Sequence, residues 1–160
     1  MSGDKDTILR AARQEDLAAL RDILYDTFES TWRPSITKTA AKAFIQEDRP
    51  ATYVGSRGLE FWVAETAGEV VGFVDWKGDF VNALHVRLAH IRQGIGRRLM
   101  DHAEAQIASA KFVSARLETD TFNRRSQAFY AARGYLEAER YPDEEWNSGL
   151  TTILLIKPLS

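Results

Sequence analysis

The chain has 160 residues, a net charge of −2 at pH 7 and no cysteine; hydrophobic residues make up 44% and charged residues 28%. That is enough chain for one globular domain over residues 1–160, with a core burying roughly 70% of the unfolded surface. The lack of cysteine excludes disulfides, thiolate metal sites and thiol nucleophiles, and the near-neutral balance gives no reason to expect nucleic acid or an anionic membrane as partner.

The first stretch, MSGDKDTILRAARQED, is too polar for a signal peptide, and no apolar run approaches 18 residues, so a cytoplasmic protein is expected. Residues 7–12 (TILRAA) are a short β-leaning run. Residues 15–28 carry Leu17, Leu20, Leu24 and Phe28 at spacings of three and four, the stripe of an amphipathic helix. Asp16 near its start suits the helix dipole. After WRPS, residues 37–46 read as a second, shorter helix. Residues 59–65 (LEFWVAE) and 69–76 (EVVGFVDW) are β-branched and aromatic, with TAG between them as a turn, which predicts a hairpin. Residues 80–86 (FVNALHV) make a third strand. A helix then runs from about Gly94 to Ala110, with Ile95, Leu99, Ala103 and Ile107 along one face. Residues 112–120 are a strand, and residues 123–134 a helix stopped by Gly134. Residues 135–141 and 151–157 are two last strands, paired across PDEEWNSG.

Hairpins pair antiparallel, whereas a strand–helix–strand run over residues 80–120 makes a parallel pair with a crossover. The expected fold is α+β: one mixed, mostly antiparallel sheet of six to seven strands, with about four helices on both faces.

Residues 90–100, HIRQGIGRRLM, break two local rules. Arg92, Arg97 and Arg98 crowd the positive end of a helix dipole, and Gly94 and Gly96 fall where that helix must nucleate. A docked polyanion reconciles both. The first turn of a helix offers N–H groups with no internal partner, and glycine lets a ligand reach them. A solvated turn with surface arginines fits the same residues. The P-loop string is absent. The dinucleotide fingerprint is met by Gly94 and Gly96, and Glu118 follows as an acidic residue on a strand, but Leu99 replaces the third glycine and the motif lies mid-chain behind a hairpin.

LHVRLAHIRQGIGRRLM resembles the acetyl-CoA segment of the GNAT acetyltransferase superfamily: a strand ending in valine, a short loop, and Q/R-x-x-G-x-G/A opening a helix. LETDTFNRRSQAFYAARGY resembles that family's next strand, its asparagine, a tyrosine seven residues on and a closing Gly-aromatic pair, and the hairpin WVAETAGEVVGFV also fits. The likeness extends over roughly residues 6–157. It implies an N-acetyltransferase that uses acetyl-CoA as co-substrate, with no metal. It also implies that backbone amides of Arg92, Gln93, Gly94, Ile95, Gly96 and Arg97 hold the diphosphate, and that Leu84 and Val86 pair with the pantetheine arm like an added strand. Asn123 would bond CoA by its side chain, with Ser126 one turn on. Tyr130 would protonate the leaving thiolate, and Glu118 would be the base. Ile91 departs from the family's usual Gln or Arg, and Arg92 and Arg97 are placed to supply the missing charge.

Acetyl transfer to an amine needs a neutral nitrogen, a polarised thioester carbonyl and a proton for the thiolate. Strand parity puts Glu118 and Asp120 on one face and Leu117 and Thr119 on the other, so the pattern does not separate the two carboxylates. His85 is a further base candidate through water, although a hydrogen-bonded, partly buried histidine fits the same position. His90 and His102 read as surface residues, and the histidine spacing gives no metal site. The acceptor is expected to be a small-molecule or peptide amine. Trp32, Asp75 and Trp76 are the leading candidates to bind it, beside Tyr25, Tyr141, Asp143, Glu144, Glu145 and Trp146. The alternative is that Trp62 and Trp76 pack in the core and PDEEWNSG is a polar loop. Neither nucleic acid nor membrane is expected as a partner, and a homodimer is left open.

Overall fold

A computed structural model describes residues 6–143 and 150–159. The chain runs β1 (Thr7–Ala11), α1 (Leu17–Thr27), α2 (Lys38–Glu47), α3 (Arg49–Arg57), β2 (Trp62–Thr66), β3 (Glu69–Lys77), β4 (Phe80–Val86), α4 (Ile95–Ser109), β5 (Ser114–Asp120), α5 (Arg124–Ala132), β6 (Leu136–Pro142) and β7 (Thr151–Pro158). One sheet holds all seven strands in the order β1-β2-β3-β4-β5-β7-β6. Among the described strands only β4 and β5 pair parallel, as the crossover through α4 requires.

The apolar stripes dock where the sequence periodicity points. Leu20 and Ile23 of α1 are fully buried with Val63, Val70 and Phe73 on one face of the sheet. Leu99, Met100, Ala103 and Ile107 of α4 cover Val71, Val74 and Leu117 on the other, joined by Tyr130 from α5 and by Tyr135. After Thr27 the first helix loosens into a π-type turn, Phe28–Trp32, and then a tight turn, Arg33–Ser35. Phe28 is anchored there by stacking on Phe44 at 3.8 Å.

The sequence expectation has no element at α3, because Thr52, Val54 and Gly55 are poor helix formers. Two local devices and one contact override that propensity. The Asp48 side chain accepts a hydrogen bond from the Ala51 N–H (3.4 Å), Pro50 occupies the first turn, and Val54 is buried against the α1 side of the sheet. The described helices therefore include one more than the four expected.

Two irregularities in β4 make the site. Asp75 lies opposite Ala83 and Trp76 opposite Val81, so Asn82 is a bulge with no partner on β3. The bulge resets the alternation: Val81, Leu84 and Val86 all pack on the α4 side. Pairing of β4 with β5 then ends after Phe80↔Arg116 and Val81↔Leu117. From there the strands diverge, leaving open backbone edges on residues 82–86 and 118–120. No described helix is long and apolar enough to cross a membrane. Of the acceptor candidates, Glu144, Glu145 and Trp146 lie outside the described residues.

Candidate active site

A cleft of about 1700 Å³ opens where β4 and β5 part. At one end α4 begins at Gly94, whose φ of 79° is costly for a residue with a Cβ. Arg92 also holds a positive φ, 66°. No side chain caps this helix, and its first internal bond is Arg98 N–H to Gly94 O at 3.1 Å. The N–H groups of Ile95, Gly96 and Arg97 therefore have no acceptor within the helix. Arg92, Gly94, Ile95, Gly96 and Arg97 all line the cleft, whereas Gln93 does not. Arg92 and Arg97 are exposed and have no ion-pair partner among the described residues. Arg98 instead turns away and donates to Thr7 O at 2.9 Å. Two cations beside uncapped amides suit a di-anion.

The middle of the cleft is bare strand edge. Arg87 N–H donates to Val71 O at 2.7 Å, so in this antiparallel ladder 73/85 and 75/83 are the hydrogen-bonded pairs. Leu84 and Val86 therefore turn their N–H and C=O groups away from β3, toward the gap left by β5. An extended amide-bearing ligand can pair with them as a strand would.

The far wall carries the polar side chains. Tyr130 is 8% exposed, packed edge-to-face on Phe129 and Tyr135 at 5.1 and 5.5 Å. It lines the cleft, and burial pushes its phenol pKa up, so it stays protonated at neutral pH. Asn123 caps α5, its Oδ1 accepting from Ser126 N–H at 3.1 Å, which leaves its NH₂ to reach a ligand. The Ser126 hydroxyl sits 2.9 Å from Thr119 Oγ1.

On β5 the two carboxylates share a face but not an environment. Glu118 is exposed and accepts a hydrogen bond from the Tyr141 hydroxyl. Asp120 is 6% exposed, and burial, followed by the charges of Asp143 and Glu118, pushes its carboxyl up to about 7.

The three acceptor candidates separate. Trp32 lines the cleft, edge-to-face with Phe122 at 5.7 Å. Trp76 packs against the α4 core and His102 instead. Asp75 is fully buried. It receives Arg57 Nε and Nη2 at 2.9 and 2.7 Å, the Tyr53 hydroxyl at 2.6 Å and Asn82 Nδ2 at 3.1 Å. It thus ties α3 to the bulge that opens the cleft. Tyr53 and Arg57, which it orients, do line the cleft; the Asp48–Pro50 helix start is the sequence signal that marks their helix. Breaking this cluster should be expensive, because Asp75→Ala strands a guanidinium and a phenol. Urea unfolding should show a loss of about 3–5 kcal/mol.

His85 is partly buried and hydrogen-bonded, one of its two sequence readings, whereas His90 and His102 are less exposed than the surface positions expected of them. His85 places Nδ1 3.2 Å from Thr27 Oγ1 beside the Phe73 ring, and desolvation lowers its pKa to about 4. His102 stacks on Trp62 at 4.0 Å, and His90 buries Nδ1 without a partner among the described residues.

Comparison with known proteins agrees with this geometry. The Acetyltransferase (GNAT) family model matches residues 17–135. A blasticidin-S acetyltransferase from Streptomyces morookaense is 35% identical over 120 residues, spanning 72% of this chain and 82% of its own. A GCN5-related N-acetyltransferase from Rhodopseudomonas palustris shares the fold at a TM-score of 0.79, with 22% identity over 95% of each chain. The PaiA N-acetyltransferase of Thermoplasma acidophilum, solved in complex with coenzyme A, does so at 0.71, with 16% identity over 95% of this chain and 98% of its own. The splayed parallel pair, the uncapped helix that joins its two strands and a family match over most of the sequence converge: this chain belongs to the GNAT family of acetyltransferases.

Proposed function

We propose that the protein transfers an acetyl group from acetyl-CoA directly to a primary amine, both bound at once in the β4–β5 cleft. One observation carries the reading. The uncapped first turn of α4, with Arg92 and Arg97, sits at one end of a cleft whose other wall presents Tyr130, Glu118 and Asp120. The same first turn fits a diphosphate, and the outward edge of Leu84 and Val86 fits a pantetheine arm.

Acetyl-CoA supplies an acyl carbon activated as a thioester. The chain does the rest. Main-chain N–H groups of Arg92 and of Gly94 to Arg97 hold the diphosphate, Asn123 anchors the cofactor by its side-chain NH₂, and Ser126 sits beside it. Leu84 and Val86 align the arm so that its carbonyl lies between the two walls. Tyr130 gives a proton on the sulfur side. A β5 carboxylate takes one on the amine side; Glu118, to which the resemblance points, and Asp120 are the two that face the cleft. Positioned acid and base groups are each worth about 10²–10⁴-fold. Trp32 supplies an aromatic wall for the acceptor. Direct transfer is also in keeping with a chain that has no cysteine to carry the acyl group.

The first test is thermal. CoA at about 100 times its Kd should stabilise the protein by about 2.7 kcal/mol, and NAD should leave Tm unchanged. Equal shifts from both would end the acetyltransferase reading of this cleft. The second is an amine panel scored by free-thiol release from acetyl-CoA, comprising blasticidin S, spermidine, amino-acid amides and a peptide with a free N-terminus. Binding of CoA without thiol release from any amine would reduce the chain to an acyl-CoA-binding module.

A further inference from the structure

We propose that Asp120, not Glu118, is the base of the reaction, and that the acceptor enters as an ammonium ion, which docks against these two carboxylates and surrenders its proton to Asp120. This rests on the acetyl-transfer reading above and goes further by naming the charge state of the acceptor and the group that changes it.

Asp120 is the last residue of β5, placed where that strand has already left β4 and pairs only with β7, opposite Thr152. Its main chain is locked: its carbonyl accepts Gln127 Nε2 at 2.8 Å and Asn123 N–H at 3.1 Å. The carboxylate has no hydrogen-bond donor among the described residues although the residue is only 6% exposed, and it opens on the cleft. A largely desolvated carboxylate that no described donor holds and that faces the cleft is free to meet a ligand there.

The charged groups that face it are Glu118 on its own strand and Asp143 beyond β6, both carboxylates; α5 presents Gln127, whose amide is spent on main-chain oxygens. Among the described residues no cation acts on Asp120, and an ammonium acceptor brings one. Glu118 is unlike Asp120 on each count. It is solvated, and Tyr141 already donates to it. It is placed to attract the acceptor. The raised pKa of Asp120 agrees with the geometry, since a base near 7 takes a proton readily and returns it to water at neutral pH.

The balance is as follows. R–NH₃⁺ passes one proton to Asp120 and becomes R–NH₂, and Asp120 releases that proton to solvent. The nitrogen lone pair forms the C–N bond, and the C–S pair leaves with sulfur. Nitrogen loses its second proton to Asp120, which returns it to solvent as well, and sulfur gains one from Tyr130, which solvent restores. The sum is ammonium plus thioester giving amide, thiol and one released proton.

Two measurements test this. In protein labelled with 4-¹³C aspartate, the carboxyl signal missing from D120N should titrate near pH 7 in the wild type, and E118Q should lower that midpoint by removing a like charge. A midpoint near 4, the ordinary aspartate range, overturns the assignment. With the fastest amine of the panel, D120N should lower kcat at pH 7 by about 10²-fold or more and abolish the acidic limb of the rate profile. Raising pH should partly rescue D120N, because water then supplies neutral amine. E118Q should mainly raise KM and keep the limb. Thiol release that D120N leaves intact sinks the Asp120 assignment alone, whereas no release from any amine sinks the transfer reading and this assignment with it.

Discussion

Tyr130→Phe is expected to lower kcat by about 10²- to 10⁴-fold while leaving the CoA-dependent rise in Tm unchanged. The separation follows from where the hydroxyl sits. The ring is the structural part: it is buried on Phe129 and Tyr135 in the α4 core, and phenylalanine keeps that packing. The hydroxyl bonds to no other described residue, so removing it leaves no buried group stranded, and the fold should lose little. Its chemistry goes entirely. A phenol whose pKa is raised by burial remains protonated across the working range and has its proton ready when negative charge develops on sulfur. The deficit should be largest with thioesters of poorly stabilised thiolates and should shrink with an activated acyl donor whose leaving group needs no proton. A variant with wild-type kcat on acetyl-CoA would remove Tyr130 from the mechanism.

The second large effect is Gly94→Asp, for which stability and cofactor affinity should part company. Gly94 has a left-handed φ of 79° and leaves the α4 amides uncapped. Asp48 shows what an aspartate does in that setting in this chain: at φ 48° its side chain accepts from Ala51 N–H, the third residue on. An aspartate at 94 would likewise turn its carboxylate onto the amides of Gly96 and Arg97. The left-handed conformation costs about 1–2 kcal/mol and a helix cap returns about 1. Unfolding free energy should therefore change by about 1 kcal/mol or less. CoA affinity should not survive. The new carboxylate would occupy the donors proposed for the diphosphate and repel it. Loss of two charge-assisted hydrogen bonds, each about 1.5 kcal/mol, is about a hundredfold in Kd. Calorimetric titration with CoA, beside urea unfolding of the same variant, checks both halves. Wild-type affinity in a folded variant would show that the diphosphate does not lodge there.

The opening of the cleft shows how sequence and tertiary structure divide the information. Strands and the amphipathic helices were legible because burying one face imprints a period of two or 3.6 on the residues themselves. The anion end of the site was legible for a related reason. Gly94, Gly96 and the arginines violate local preference, and a violation is visible without knowing the fold. The helix Arg49–Arg57 was not, since its residues have weak propensity and the burial of Val54 and Pro50 that stabilises it is made with distant elements.

The acceptor end was the least legible. Trp32, Asp75 and Trp76 are alike in the sequence as polar or aromatic residues near strand and helix ends, yet only Trp32 reaches the cleft. Asp75 is consumed by Arg57, Tyr53 and Asn82, and Trp76 by packing on His102. A one-residue bulge at Asn82 reset which side chains of β4 face which layer, and no period in the sequence records it.

What the sequence determined by itself was the family of the chain, the order of its elements apart from the helix Arg49–Arg57, and the glycine- and arginine-rich helix start proposed to take the diphosphate. These are properties of contiguous residues. Only the folded chain decided that Glu118 and Asp120, indistinguishable by strand parity, lie one in water and the other at 6% exposure without a donor among the described residues. That difference depends on how β5, β7 and α5 close around the end of one strand. Desolvation is set by neighbours in space, whereas periodicity reports only neighbours along the chain.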